Sequence, residues 1–379
     1  MKYNIFKILA PAFSALLVAG CADWVSPEPK DFGPSLVEPA KDDAYYAALR
    51  AYKESDHSVS FGWFSNWGEA GLNTSNMLQA IPDSMDIISL WSNYANISDA
   101  KKEDLKFVRE VKGTKVVVTS FISHVGSLFP PADCPDEASR EEYWGWVDGD
   151  EDAIMRSIEK WTKALSDTLY HYGYDGIDID YEPGEYGGPL CRNSTYFTKF
   201  VTEMGKYIGP KSGTGRLFII DGYYWQIPNP NELGVYFDYF VEQAYATTSS
   251  PTANTANSAS NLETRLNNHG INVFSGIFTA EEFTNRYIVT ENLESASDCL
   301  NGGFLWTDAT GHRWDKSVMP CLVGFADWKP SNGFRKGGFG AYQFGYENAN
   351  NPPYKWLRKA IQQQNPSPGY DVITIEDDK

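Results

Sequence analysis

Positive charge is scarce in this chain. Its 379 residues carry 32 Lys and Arg against 50 Asp and Glu, a formal net charge of −18. That balance excludes nucleic acid as a partner and argues against phosphate-bearing substrates, which the same field repels. A neutral ligand fits. Cysteine is sparse, with five in all, and no Cys-x-x-Cys pair or Cys/His cluster has the spacing of a zinc site. No metal and no organic cofactor is therefore expected. The apolar stretch Ile5 to Val18 is too short for a membrane span. No glycine-rich phosphate turn follows the first strand candidate, which argues against an open doubly wound sheet. Internal repeats, coiled-coil heptads and a second domain are also missing.

The first residues have the layout of an export signal. Lys2 and Lys7 precede the apolar stretch, and small residues lead to Cys21. Leu17-Val18-Ala19-Gly20-Cys21 resembles a bacterial lipobox, in which cleavage exposes a cysteine that then carries lipid; an ordinary signal peptide cut nearby is the alternative. The expected organisation is a signal peptide at 1–20, a lipidated Pro- and acid-rich tether at 21–44, one globular domain at 45–365 and a disordered polar tail at 366–379. The address implied is the bacterial envelope at the outer membrane, reached through a lipid anchor, with the side it faces left open. A monomer is expected. With Cys21 lipidated, an even set remains in an exported protein, which suggests disulfides with three possible pairings; Cys134–Cys191 with Cys299–Cys321 is the favoured one, because Cys134 and Cys191 both sit in Pro/Gly-rich loops.

Beyond the tether, β-prone runs alternate with helical ones. The strand candidates are Val59–Trp63, Met85–Trp91, Lys115–Ile122, Gly176–Tyr181, Arg216–Asp221, Tyr239–Tyr245, Ile271–Phe278 and Gly338–Phe344. Helical spacing marks Lys101–Lys112, Asp152–Tyr172 and Thr195–Ile208. Alternation implies a parallel sheet, and eight strands imply a closed (β/α)8 TIM barrel in a single α/β domain. Chemistry in such a barrel sits where the strands end. The polar run Thr247–Asn261, after the sixth strand candidate, reads as a mobile loop, either substrate-contacting or plain surface.

The fourth strand candidate carries the chemistry. In Asp175-Gly176-Ile177-Asp178-Ile179-Asp180-Tyr181-Glu182, the acids Asp178, Asp180 and Glu182 are each two apart. On a strand they point to one face. Like charges at that spacing, partly desolvated, raise the pKa of at least one, which is how a carboxylic acid stays protonated near neutral pH. A solvated acidic edge or a calcium loop is the alternative, but Ile179 and Tyr181 are apolar and no EF-hand spacing follows. Pro183-Gly184 ends the strand, so Glu182 is expected at the barrel mouth and Asp178 deeper.

The same eight residues match DGxDxDxE, and the chain resembles glycoside hydrolase family 18. That resemblance implies a (β/α)8 barrel acting on β-1,4 links of N-acetylglucosamine (GlcNAc) by substrate-assisted retention, an exception to the two-carboxylate scheme. It implies that Glu182 is the general acid and then base, that Asp180 holds the acetamido group, and that Asp178 shares a proton with it. Asp175 is expected to be structural, and Gly176 to allow close packing. Gln243 and Tyr245 resemble the endo-β-N-acetylglucosaminidase branch, with Tyr245 orienting the acetamido carbonyl; chitinases more often place an Asp after that Tyr, where Ala246 stands. The Ser-x-Gly-Gly turn common in chitinases is replaced by Thr119-Ser120-Phe121-Ile122-Ser123. The strand-eight Trp floor is replaced by Tyr342 or Phe344. Trp91, Asn93, Tyr223, Trp225, Gln243 and Tyr342 are candidate sugar contacts. The function implied is endo-β-N-acetylglucosaminidase activity on the GlcNAc–GlcNAc core of N-glycans. A chitinase-like hydrolase and a non-catalytic glycan-binding protein are the alternatives.

Overall fold

A computed structural model of the chain describes residues 41–68, 76–184, 186–246, 257–306 and 319–369. The expected signal peptide, Cys21, most of the tether, residues 247–256 of the polar loop and the end of the tail lie outside the described residues.

Eight parallel strands close into a barrel in sequence order. They are β1 Val59–Phe64, β2 Ile87–Leu90, β3 Lys115–Phe121, β4 Gly176–Tyr181, β5 Leu217–Gly222, β6 Tyr239–Gln243, β7 Tyr287–Asn292 and β8 Gly338–Tyr342. The expected α/β barrel class is the observed one. Seven strand expectations overlap the observed strands, and the seventh does not. Ile271–Phe278 is not a strand: residues 266–271 wind as a π-helix continuing the helix Ala259–Arg265, and turns follow. Phe274 there packs on Phe240 and Phe283 in the layer outside the barrel. The true β7 begins Tyr287-Ile288-Val289-Thr290, a β-branched run that is buried throughout. Both runs are apolar and β-prone, so local pattern could not choose between them.

The helices follow their sequence cues closely. Glu151–Tyr172 is capped by the Asp150 side chain, which accepts from the Ala153 amide, and it ends at Gly173 with φ +80°. Its stripe of Ile154, Ile158, Trp161 and Leu165 is buried against the barrel, and Trp161 stacks on Phe200. Each such side chain contributes about 1.5–3 kcal/mol by leaving water. The helix expected at Lys101–Lys112 is an α-helix only over Asp99–Lys106 and turns π-helical over Phe107–Val111.

Inside the barrel, an apolar layer closes the end where the strands begin. It includes Phe61, Ile87, Val117, Ile219, Val241 and Ile288. β4 adds no bulk to that layer because it starts with Gly176. A Cβ there would lie 1.9 Å from the Leu217 carbonyl oxygen, so the close approach of β4 to β5 requires glycine. Asp175, just before it, forms a two-point ion pair with Arg109 at 2.7 and 3.0 Å and accepts from the Val116 amide. It ties a helix to the barrel far from the mouth, as expected of a structural acid. On the outer face of β6, buried Glu242 accepts from Tyr224, Arg265 and His269.

The two expected disulfides are not formed. Cys134, Cys191, Cys299 and Cys321 are free and buried. Cys191 and Cys321 are packed into the main core, and the Cys299 thiol meets the Ala296 carbonyl at 3.4 Å. Even parity predicted bridges, but these thiols serve as small core side chains.

Candidate active site

The register of β3, β4 and β5 builds the site. Asp178 pairs laterally with Thr119 and Ile219, and Asp180 with Phe121 and Asp221. Parallel register puts laterally paired side chains on the same face, so Asp178, Asp180 and Asp221 all point into the barrel. Asp178 is fully buried. Its Oδ2 accepts from the Trp63 indole at 2.8 Å and the Ser89 hydroxyl at 2.9 Å. Burial pushes its pKa up to about 6, against the pull of those donors and of Asp221. Asp180 is 3% exposed. Burial first, then the charge of Glu182, pushes it up to about 8. The protonated form of Asp180 is thus favoured near neutral pH. Glu182 is the first residue past β4 and is half-buried at the mouth. The expected depth order, with Asp178 deepest, is the one observed.

A cleft of ≈ 350 Å³ opens above these acids. Trp63, Trp91, Phe121, Tyr186 and Tyr342 wall it, and Asp180, Glu182, Gln243, Tyr245 and Glu294 supply polar groups. Gln243 donates to Asp221 Oδ1 at 2.7 Å and to Asp180 Oδ1 at 3.4 Å. β6 ends at Gln243 rather than Tyr245, yet both residues line the cleft. Burial, with the charges of Asp221 and Asp180, raises the Tyr245 pKa well above its usual value, so its hydroxyl stays a donor. The Ala246 amide behind it is held by Glu291 Oε1 at 3.2 Å.

The expected sugar contacts divide. Trp91 and Tyr342 face each other edge-on at 5.6 Å in the cleft, and Tyr342 also meets Trp63 and Tyr245. Tyr342 is therefore the strand-eight residue of the site. Phe344 turns away and packs on Phe64. Asn93, Tyr223 and Trp225 do not line the cleft. Asn93 sits in a turn with φ +60°, its carbonyl bonded by Lys101. Tyr223 is 44% exposed on the surface, and Trp225 stacks on His269 at 3.7 Å. Their aromatic or amide character suited sugar, but chain direction after β2 and β5 takes them elsewhere.

Several site residues went unrecognised in the sequence. Asp221 was visible only as the last inward position of the Arg216–Asp221 candidate. Trp63 ends the inward alternation Phe61, Trp63 on β1. Tyr186 stacks on Phe121 at 4.5 Å across a Gly-rich loop, which no local pattern signals. A larger cavity, ≈ 460 Å³, lies at the opposite end of the barrel. Lys53, Asp56, His57, Asp238, Arg286 and Arg335 line it, and its charges are mixed. That is the end of a barrel where side chains hold the fold rather than act. Among the described residues no His, Cys, Asp and Glu group is arranged to hold a metal.

Aromatic walls suit the faces of sugar rings, and carboxyl groups at graded depth suit acid–base work on a glycosidic bond. The class these define is a glycoside hydrolase on a (β/α)8 barrel. Residues 25–363 match glycoside hydrolase family 18, BT1044-like, and the chain belongs to that family. It is 27% identical over 307 residues to endo-beta-N-acetylglucosaminidase F2 of Elizabethkingia meningoseptica, spanning 78% of this chain and 75% of that protein. Among solved structures it is similar to selenomethionine BT1044 with a glutamate-to-glutamine substitution. The TM-score is 0.71 at 27% identity, over 89% of this chain and 99% of that one. Its fold also resembles that of an endo-beta-N-acetylglucosaminidase from Cordyceps militaris, with a TM-score of 0.57 at 20% identity, over 87% and 98% of the two chains.

Proposed function

We propose that the protein is an endo-β-N-acetylglucosaminidase that hydrolyses the β-1,4 bond of the GlcNAc–GlcNAc core of N-glycans. The observation that carries this is the convergence of Glu182, Asp180, Gln243 and Tyr245 on one aromatic cleft, with Ala246 where chitinases more often place an acid. The similarity to endo-beta-N-acetylglucosaminidase F2 supports the same substrate class.

Glu182, at the mouth, protonates the glycosidic oxygen as it leaves. The substrate's own acetamido oxygen attacks the anomeric carbon, giving an oxazolinium ion. Tyr245 donates to that oxygen and aims it. Asp180 accepts the acetamido N–H once its proton has passed to Asp178, whose pKa of about 6 makes it able to share one. The resulting negative charge offsets the positive ring. Glu182, now a carboxylate, takes a proton from water, and the hydroxide oxygen opens the oxazolinium with net retention. The buried position of the acid pair strengthens each of these interactions relative to water.

The test is mass spectrometry of N-glycosylated proteins incubated with wild type and with Glu182→Gln. Glycan release that leaves one GlcNAc on asparagine, by wild type alone, is the expected result. Cleavage of chitin oligomers instead moves the assignment to a chitinase, and glycan binding without cleavage of either makes the protein a lectin. The lipobox supports a lipid anchor at Cys21 on the bacterial outer membrane, with the domain acting as a monomer on nearby glycans. Metabolic labelling with a fatty acid, lost in Cys21→Ser, tests that address.

A further inference from the structure

A third carboxyl group completes the buried cluster. Asp221 stands beside Asp180 in the register of β4 and β5 and has no exposed surface. Gln243 donates to its Oδ1 at 2.7 Å. Its Oδ2 has no donor, and neither does Oδ1 of the equally buried Asp178. The Asp221 carboxyl group lies within reach of both Asp178 and Asp180. Ionised carboxylates only accept, so neighbouring buried carboxyl groups that each keep an oxygen without a donor repel each other. A cation would resolve this, but among the described residues that line the cleft there is no Lys, Arg or His. The titratable groups that face Asp221 are Asp178 and Asp180 on β4 and Tyr245 beyond β6; Glu182, Glu294 and Tyr342 line the same cleft. A proton between Asp221 and Asp178 satisfies both orphaned oxygens at once.

We propose that Asp221 is a positioning residue that keeps its own proton on Oδ2 and donates it to Asp178 Oδ1. The Asp178–Asp180 pair is then left with one negative charge and one transferable proton. Burial and the neighbouring charges of Asp180 and Asp178 act in the same direction, raising the Asp221 pKa well above its usual value. Of three carboxyl groups, two hold protons at neutral pH, one fixed by β5 and one mobile beside Glu182. Without the fixed proton, Asp178 would lose the donor that orients the carboxyl group which must receive the mobile proton from Asp180. Asp221 touches no substrate in this scheme. Its catalytic consequence rests on the proposed hydrolase reading, but its protonation state does not.

Two readouts separate those claims. Infrared difference spectra of the full chain at neutral pH, Asp221→Asn against wild type, should show the loss of one carbonyl band of a protonated carboxyl group. Loss of a carboxylate band instead overturns the proton assignment, whether or not any glycan is cleaved. For activity, Asp221→Leu removes the donor and should lower kcat about 10- to 100-fold, the worth of a hydrogen bond to a charged group. Asp221→Asn keeps a donor at the same place and should recover most of that loss, with KM little changed in either. Equal losses in both variants, or none in Asp221→Leu, overturn the positioning role. A wild type that cleaves no glycan refutes the hydrolase reading alone and leaves the infrared result to decide the proton.

Discussion

Asp180→Asn tests the electrostatics of the cluster without any substrate. Asp180 is 3% exposed, and burial with the charge of Glu182 lifts its pKa from 3.8 to about 8. A carboxyl group with a raised folded pKa binds more protons in the folded state than in the unfolded chain. Its contribution to stability is therefore fully present below the unfolded pKa and declines as pH rises from about 4 through about 8. The gap corresponds to at most about 6 kcal/mol. Because Asp178 titrates with Asp180 and shares that cost, about 2–3 kcal/mol is expected for Asp180 itself. An asparagine resembles the protonated acid in shape and cannot ionise, so the variant lacks this decline. For a domain of about 320 residues, the stability of Asp180→Asn relative to wild type should improve by about 3–5 °C in Tm between pH 4.5 and pH 8. Thermal unfolding followed by circular dichroism at several pH values reads this directly. A Tm difference that stays flat with pH, or that shifts against the variant as pH rises, refutes the protonated Asp180 and with it the proton-sharing step of the mechanism.

Other consequences follow from single contacts. Trp63→Phe removes the indole donor that meets Asp178 at 2.8 Å; kcat should fall about 10-fold or more with KM little changed, measured by glycan release. Tyr342→Ala opens the cleft wall shared with Trp63 and Trp91 and should raise KM about tenfold, whereas Phe344→Ala, behind the wall, should instead lower stability by about 3–5 kcal/mol in denaturant titration. Without any reductant, alkylation in denaturant should label Cys134, Cys191, Cys299 and Cys321, and native protein should react slowly because all four are buried.

The acid pair was legible because strand periodicity is strict. Alternation in Asp178-Ile179-Asp180 puts both carboxyl groups on one face whatever the rest of the chain does, and Pro183-Gly184 marks where the strand must stop. The long helix Glu151–Tyr172 was legible for a similar reason, since its stripe and both caps are local. β7 was not. Ile271–Phe278 and Tyr287–Asn292 satisfy the same local rules, and the choice is made by Phe274, which packs with Phe240 and Phe283 outside the barrel. Misplacing β7 also hid Glu291, which holds the backbone behind Tyr245.

Sequence by itself determined the architecture and the acids that face the barrel mouth, because both rest on periodicities of two and about 3.6 residues that need no distant partner. Tertiary structure decided the company those acids keep. Closure of the barrel carries Trp63 from β1 and Ser89 from β2 to Asp178, and Asp221 from β5 and Gln243 from β6 to the same cluster. It sends Asn93, Tyr223 and Trp225 away from the cleft and leaves the four described cysteines unbridged. Those outcomes depend on where strands far apart in the chain come to lie, and the pKa of a buried carboxyl group depends on these neighbours more than on its own flanking residues.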